Sequence, residues 1–454
     1  MIVLRFFTLP QNKRFTNKDL IAFMLPVLFE QLMLAGLSMA DTVMVSSLGE
    51  TAVAGVALVN RIDNFAKQFF VALAQGGSVV LAQYIGADDK RLSKVSLKTN
   101  IRIVTAIGLA VMLVMVMFKY RILDLLFGKA EADVLAVSGS YFSITAFSYP
   151  FTALYYSCSA SFRAMGESKV PFIGSIAMMG VNLILKYIFI FQFNMGVSGA
   201  ALSTLIAMAT VGTVLLFVLT NKKNRVQLSG MFKFDFNRSI ASRILKVSVP
   251  NGIEQGMFQL GALMIAGLVS GLGTSAIAAD QIARTLTPLV HSFGSAFATL
   301  VMMVVGQCMG AREIDDAEMY TKHILKMDYF ATCCDVAVFL LLLKPMLSMF
   351  DLSSQAENYA TVILLIYSLG SCMFYPSSFA IPSALRGAGD TKFVMMVATL
   401  SMFLFRIGAA YILVYAFELG VVGTWVAMVL DWVIRTVIFV IRFAHGKWKQ
   451  NEVI

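Results

Sequence analysis

Charged side chains are scarce in this sequence. Only 14% of its 454 residues are Asp, Glu, Lys or Arg, while 58% are hydrophobic and the mean hydropathy is +0.78. A soluble chain of that composition could not cover its apolar surface, so the membrane is its solvent. Cysteine is scarce too. Cys158, Cys308, Cys333, Cys334 and Cys372 are odd in number, lie in or beside apolar runs and lack metal-ligand spacing, so no disulfide framework and no metal site are expected. The opening "MIVLRFFTLPQNKRFTNKDL" has no small-residue cleavage site, so no secretory signal is expected. Zinc-ligand spacing, a nucleophile elbow and a phosphate-binding glycine loop are all missing, which argues against an enzyme and against a cofactor. The net charge of +10 would suggest nucleic acid in a soluble chain. Here the Lys and Arg of short loops set topology instead, and no nucleic-acid partner is expected.

What the sequence does have is long apolar runs. They recur at roughly 17–46, 52–83, 97–119, 134–158, 169–193 and 197–220, then at 241–270, 276–309, 322–344, 357–382, 393–416 and 421–443. Each is near the ~20 residues that span a bilayer. The expected fold is therefore an all-α integral membrane protein of twelve helices. Its expected divisions are an N-lobe (1–220), a cytoplasmic linker (221–240) and a C-lobe (241–454). Lys13, Arg14 and Lys18, then Lys90, Arg91 and Lys94, then Lys222, Lys223 and Arg225 fall in loops on one side. The positive-inside rule places those loops and both termini in the cytoplasm.

A repeat organises the twelve runs. Shifted by 224 residues, Pro26, Glu30 and Gln31 fall on Pro250, Glu254 and Gln255, and Gln83, Gly86 and Ala87 fall on Gln307, Gly310 and Ala311. Further on, "FRAMGESK" (162–169) echoes "LRGAGDTK" (385–392), and "GVSGAALST" (196–204) echoes "GVVGTWVAM" (420–428). Six helices per copy is an even number, so both copies enter the membrane from the same side. Two pseudo-symmetric lobes about an axis along the membrane normal, with a central cavity, are expected, as in secondary transporters.

The first run carries Glu30 and Asp41, eleven residues apart and hence on nearly one helix face. A carboxylate in lipid costs about 2.5–3.5 kcal/mol on insertion scales, so that face is expected to meet protein or water. Glu30 recurs as Glu254, whereas Asp41 is replaced by Ile265. The shared carboxylates suit architecture, with coupling the other possibility; the unshared one suits proton or cation exchange. Elsewhere, Asp63 with Lys67 and Asp280 with Arg284 are spaced for i,i+4 salt bridges, and Arg406, Asp431 and Arg435 for a buried ion network. His291, in the slot of Lys67, is expected to be a core residue. Pro26 and Pro250 mark helix bends.

These residues resemble the MATE (multidrug and toxic compound extrusion) transporters along essentially the whole chain. The resemblance rests on "MADTVMVSSLGETAVAGVAL", "AQYIGADD", "FRAMGESKVP", "NMGVSGAALST", "GLGTSAIAADQIA" and "SALRGAGDTK". It implies drug or metabolite efflux by alternating access, driven by inward protons or sodium ions. The family's first-helix aspartate matches Asp41, its fifth-helix asparagine Asn182 and its sixth-helix threonine Thr204. Many members carry a second aspartate four residues after that asparagine; here Lys186 stands there. It is expected to pair with Asp41 and to weaken the case for sodium. Phe258 stands where some branches carry an acidic residue in the seventh helix, and Glu254 lies one turn earlier.

The function expected is a plasma-membrane antiporter, monomeric, exporting amphipathic or cationic drugs and metabolites against H⁺ in preference to Na⁺. Its partners are a small-molecule substrate and membrane lipid. The alternative is a flippase for a lipid-linked oligosaccharide or other anionic lipid.

Overall fold

The computed structural model describes residues 9–10, 13–128, 131–230, 237–350, 352–451 and 453–454, so part of the expected linker, 231–236, lies outside the described residues. Among these residues the regular structure is helical, without a strand. The first six runs form α1 (Asn17–Ser46), α2 (Glu50–Gly86), α3 (Lys90–Phe127), α4 (Ala132–Ala146) with α5 (Tyr149–Ala164), α6 (Lys169–Tyr187) and α7 (Gly196–Leu219). The second six form α8 (Arg238–Ser270), α9 (Thr274–Gly310), α10 (Ile314–Leu347) and α11 (Ser354–Gly387). They end with α12 (Thr391–Ser401), α13 (Ala409–Tyr415) and α14 (Gly420–Ala444). Ten of these segments are long and apolar enough to cross a bilayer; the 30-residue α1 and the α4–α5 pair occupy the first and fourth of the twelve expected runs.

Two runs are less regular than their hydropathy suggests. The fourth breaks at Phe147 and Ser148, because Pro150 lies at the second position of α5. A proline there lacks only an N–H that the first turn leaves unpaired, so it starts a helix more readily than it continues one. The eleventh passes from α12 to α13 through a π-helical stretch, Met402–Gly408, and α6 likewise ends in one, Ile188–Gln192.

Contacts gather the chain into two compact units, one of residues 29–252, the other of residues up to Leu28 and from Ile253 onward. Both divisions fall inside a helix, two residues after Pro26 in α1 and two after Pro250 in α8. Each proline removes a backbone hydrogen bond and weakens the helix at that point.

In the unit of residues 29–252, α2 is the buried axis, packed on α3, α4 and α5. Phe70, Leu73, Tyr149 and Ala153 form part of that core. The first turns of α8 join it: Ser248 Oγ donates to the Leu73 carbonyl at 2.9 Å. By contrast α3 leaves Met117 (74%) and Leu125 (85%) exposed, a surface suited to acyl chains. In the other unit, α9 packs on α10 and α11, and α11 on α14. Tyr367, Tyr375 and Trp432 meet there edge to face. As expected of a core residue, His291 is held in this cluster, stacked on Tyr367 at 5.3 Å.

A polar clasp closes the second unit at one end. Thr16 and Asp19 form a capping box at the start of α1, with Thr16 N donating to Asp19 Oδ2 at 2.9 Å and Asp19 N to Thr16 Oγ1 at 3.3 Å. Just before it, Lys13 pairs with Asp316 at 2.6 Å and Arg14 with Glu313 at 3.0 Å. Its hydrogen bond to Asp316 holds the Lys13 ammonium above the usual lysine value of 10.5. The link it makes is therefore retained below that value and lost only as pH rises beyond it.

The repeat reaches the backbone. Gly49 and Gly273, at matching positions before α2 and α9, share φ 94° with ψ 170° and 166°. That region is essentially closed to other residues and costs about 1–3 kcal/mol when one is forced into it. Replacing Gly49 or Gly273 by Ala is expected to lower the thermal unfolding midpoint in detergent, whereas Gly180→Ala, which meets open space in α6, does not lower it. Equal midpoints for all three variants would contradict the strain assigned here.

Candidate functional site

Asp41 projects from α1 and Lys186 from the last turn of α6. Lys186 Nζ donates to Asp41 Oδ1, forming an ion pair within the unit of residues 29–252. The lysine is buried, its side chain 2% exposed, while the Asp41 side chain is 35% exposed. The carboxylate is thus the accessible member and the ammonium the fixed one. One turn earlier on α6, Asn182 Nδ2 donates to Thr204 Oγ1 of α7 at 3.1 Å, and Thr204 Oγ1 donates to the Ala200 carbonyl at 3.2 Å. Asn182 Oδ1 is buried and finds no partner among the described residues. Asn182 and Lys186, four residues apart, share a face of α6, so the structure brings all four residues to one three-helix junction.

The local sequence explains how α6 presents these groups. Lys186 is buried together with Met178 and Asn182 along one stripe, while Ile173, Ile184 and Tyr187 stand exposed. Directly after Lys186 the helix relaxes into its π turn, Ile188–Gln192. Such turns widen the helix locally and are frequent at functional sites.

Glu30 and Glu254 have different partners. Arg163 Nη2 donates to Glu30 Oε1 at 2.6 Å, and Arg386 Nη2 to Glu254 Oε1 at 2.5 Å. The first pair lies in one unit and the second in the other. Arg163 and Arg386 belong to the echoed segments "FRAMGESK" and "LRGAGDTK", so the repeat carries an entire ion pair. Matching the arginines of those two segments with the glutamates of α1 and α8 was the available signal. Sequence reasoning had kept the two motifs apart.

Of the other expected pairings, one forms and the rest differ. Asp280 accepts from Arg284 Nε at 2.6 Å, as the i,i+4 spacing suggested, and also from Trp425 Nε1 at 3.0 Å. Asp63 instead accepts from Tyr149 Oη at 2.7 Å, because a phenol on α5 reaches it inside the packed core. The network expected of Arg406, Asp431 and Arg435 is only partial. Arg435 Nη1 lies 4.0 Å from Asp431 Oδ2, but Arg406 turns to the face of Phe258 at 5.3 Å and to Met428 Sδ at 3.1 Å. Asp328, fully buried on α10, escaped notice; Thr332 Oγ1 donates to its Oδ1 at 3.2 Å, and its Oδ2 finds no described partner. A carboxylate inside the apolar run 322–344 was signal enough.

A family model, MatE, matches this chain twice, over residues 26–188 and 250–412. The two matches are offset by the same interval as the sequence repeat. The chain belongs to the MatE family. Its relatives include an uncharacterized transporter, YisQ, of Bacillus subtilis, 24% identical over 97% of this chain and 96% of that one. A probable multidrug resistance protein, NorM, of Thermotoga maritima is 26% identical over 96% and 94%. Among solved structures, the outward-facing conformation of a multidrug resistance MATE family transporter superposes with a TM-score of 0.88 at 19% identity, covering 96% of this chain and 97% of that one. The MatE fold, two lobes of membrane-spanning helices, is thus the fold of this chain. MatE proteins are multidrug efflux transporters, which makes this chain a multi-pass membrane carrier of small molecules.

Within the MatE scaffold the paired glutamates are expected to be structural. Removing one partner of a buried ion pair leaves a charge uncompensated and costs about 3–5 kcal/mol. Arg163→Ala and Arg386→Ala should each destabilise the protein in detergent by that order, and Glu30→Gln/Arg163→Gln should recover much of the loss. Thermal unfolding with a fluorescent thiol probe measures this, and wild-type midpoints in both single variants would exclude the structural role.

Proposed function

We propose that the chain is an antiporter of the cytoplasmic membrane, both termini inside, that exports amphipathic cationic compounds in exchange for inward protons. The observation that carries this reading is the Asp41–Lys186 ion pair. A protonated carboxylate cannot hold an ammonium by charge, so protonation of Asp41 dissolves the pair and frees Lys186. Loss of the proton restores it. The two states differ in which contact ties α1 to α6, and a ligand or proton that favours one shifts the population toward it. Asn182 and Thr204 would hold α6 and α7 together while α1 exchanges.

The same ammonium argues against sodium. It already occupies the carboxylate, and the neighbouring ligands among the described residues are one amide and one hydroxyl, short of the six or so oxygens that hard cations gather. The coupling ion is then the proton, and no resident cofactor is required. Relatives named a probable multidrug resistance protein and a multidrug export protein support drug efflux over lipid flipping.

Proteoliposomes with pH and sodium gradients imposed separately test the assignment. Ethidium accumulation should follow the pH gradient alone, and Asp41→Asn should lower it at least tenfold. Lys186→Gln should leave Asp41 without its internal cation and make transport sensitive to sodium. Proton-driven transport at the wild-type rate in Asp41→Asn would overturn the coupling role.

A further inference from the structure

The unit that lacks Asp41 contains a cavity of its own, about 160 Å³, lined among others by Glu254, Phe258, Phe379, Arg386, Thr399 and Arg435. Its polar groups are unevenly satisfied. Arg386 neutralises Glu254 through Oε1. Arg435 is 95% buried by its 5% exposure, yet its Nε has no described partner and its contact with Asp431 is a long 4.0 Å. Thr399 Oγ1 and Glu254 Oε2 are likewise buried without partners. A third guanidinium, Arg406, lies over Phe258 on the cavity wall. Two guanidinium groups, Arg386 and Arg435, thus line a space with one lining carboxylate, Glu254, while Arg406 stands behind Phe258 and Asp431 lies 4.0 Å from Arg435.

We propose that this cavity binds a hydroxylated aromatic carboxylic acid, anchored by Arg435. An apolar cavity of about 150 Å³ takes a benzene ring, so one ring fits between the Phe258 and Phe379 side chains. Guanidinium is the side chain best matched to carboxylate, through charge-assisted N–H donors, and the Arg435 Nε–H is the unused one. Buried polar groups without partners call for an occupant. The ring hydroxyl serves the remaining two, donating to Glu254 Oε2 or exchanging with Thr399 Oγ1. A cation would meet the two lining arginines instead and be disfavoured. The site is independent of the Asp41–Lys186 pair and of the proton-coupling reading.

Equilibrium binding of 4-hydroxybenzoate to the purified protein in nanodiscs, without any ion gradient, tests it. Saturable binding of one molecule per chain is expected, with benzylammonium and benzyl alcohol at least tenfold weaker. Asp431→Asn/Arg435→Gln, which removes both charges together, should weaken binding tenfold or more. Ala398→Phe, which fills the cavity without altering charge, should do the same, and it decides the matter if the double variant unfolds. Lys186→Gln should bind as wild type does. Absence of saturable binding by the wild type, equal binding by Ala398→Phe, or preference for benzylammonium would each overturn the proposal. Because no transport is measured, failure here leaves the antiport reading standing, and failure of proton coupling leaves this one standing.

Discussion

A charge removed from water must find a partner, and in this chain nearly every architectural feature near the functional groups follows from that demand. Helices in lipid gain little from apolar association, since acyl chains are as apolar as leucine; they are held by close packing and by polar contacts. Glu30 joins α1 to α5 through Arg163, Glu254 joins α8 to α11 through Arg386, and Asp41 joins α1 to α6 through Lys186. Each pair both satisfies a buried charge and fixes two helices against each other.

The three pairs are not alike. The glutamate side chains are almost wholly buried, 2% and 8% exposed, against arginines that are 18% and 15% exposed, and the pairs recur in both units. Such a pair has no ready access to an exchanging ion and suits a permanent brace. The Asp41 carboxylate is a third exposed, opposite a lysine that is not, and its counterpart in the other unit is Ile265. The repeat thus separates an ion pair present in both copies from one present in a single copy.

The helices themselves are weakened at corresponding places. Pro26 and Pro250 lie beside the divisions between compact units, and π turns interrupt the fifth spans of both copies, after Lys186 in one and around Arg406 in the other. In each unit a basic side chain is delivered from the irregular stretch or the turn before it. Such π turns are frequent at functional sites, and here they adjoin the lysine that meets Asp41 and contain the arginine that lies over Phe258.

Much of this was legible in the amino-acid order. The spans and the repeat depend on local composition and spacing, which survive without knowledge of packing, and the resemblance to a family singled out Asp41, Asn182, Lys186 and Thr204, which the fold brings together. Chain-neighbour arguments succeeded where partners lie one turn apart, as for Asp280 and Arg284. They failed for Asp63, whose partner Tyr149 is 86 residues away, and for Arg406, which prefers an aromatic face to a carboxylate. The partners of Glu30 and Glu254, 133 and 132 residues distant, and the cavity around Arg435 were decided by tertiary structure alone. Hydropathy states which segments leave water; which side chains then meet is set by how the helices rotate and tilt against one another, and no single helix encodes that.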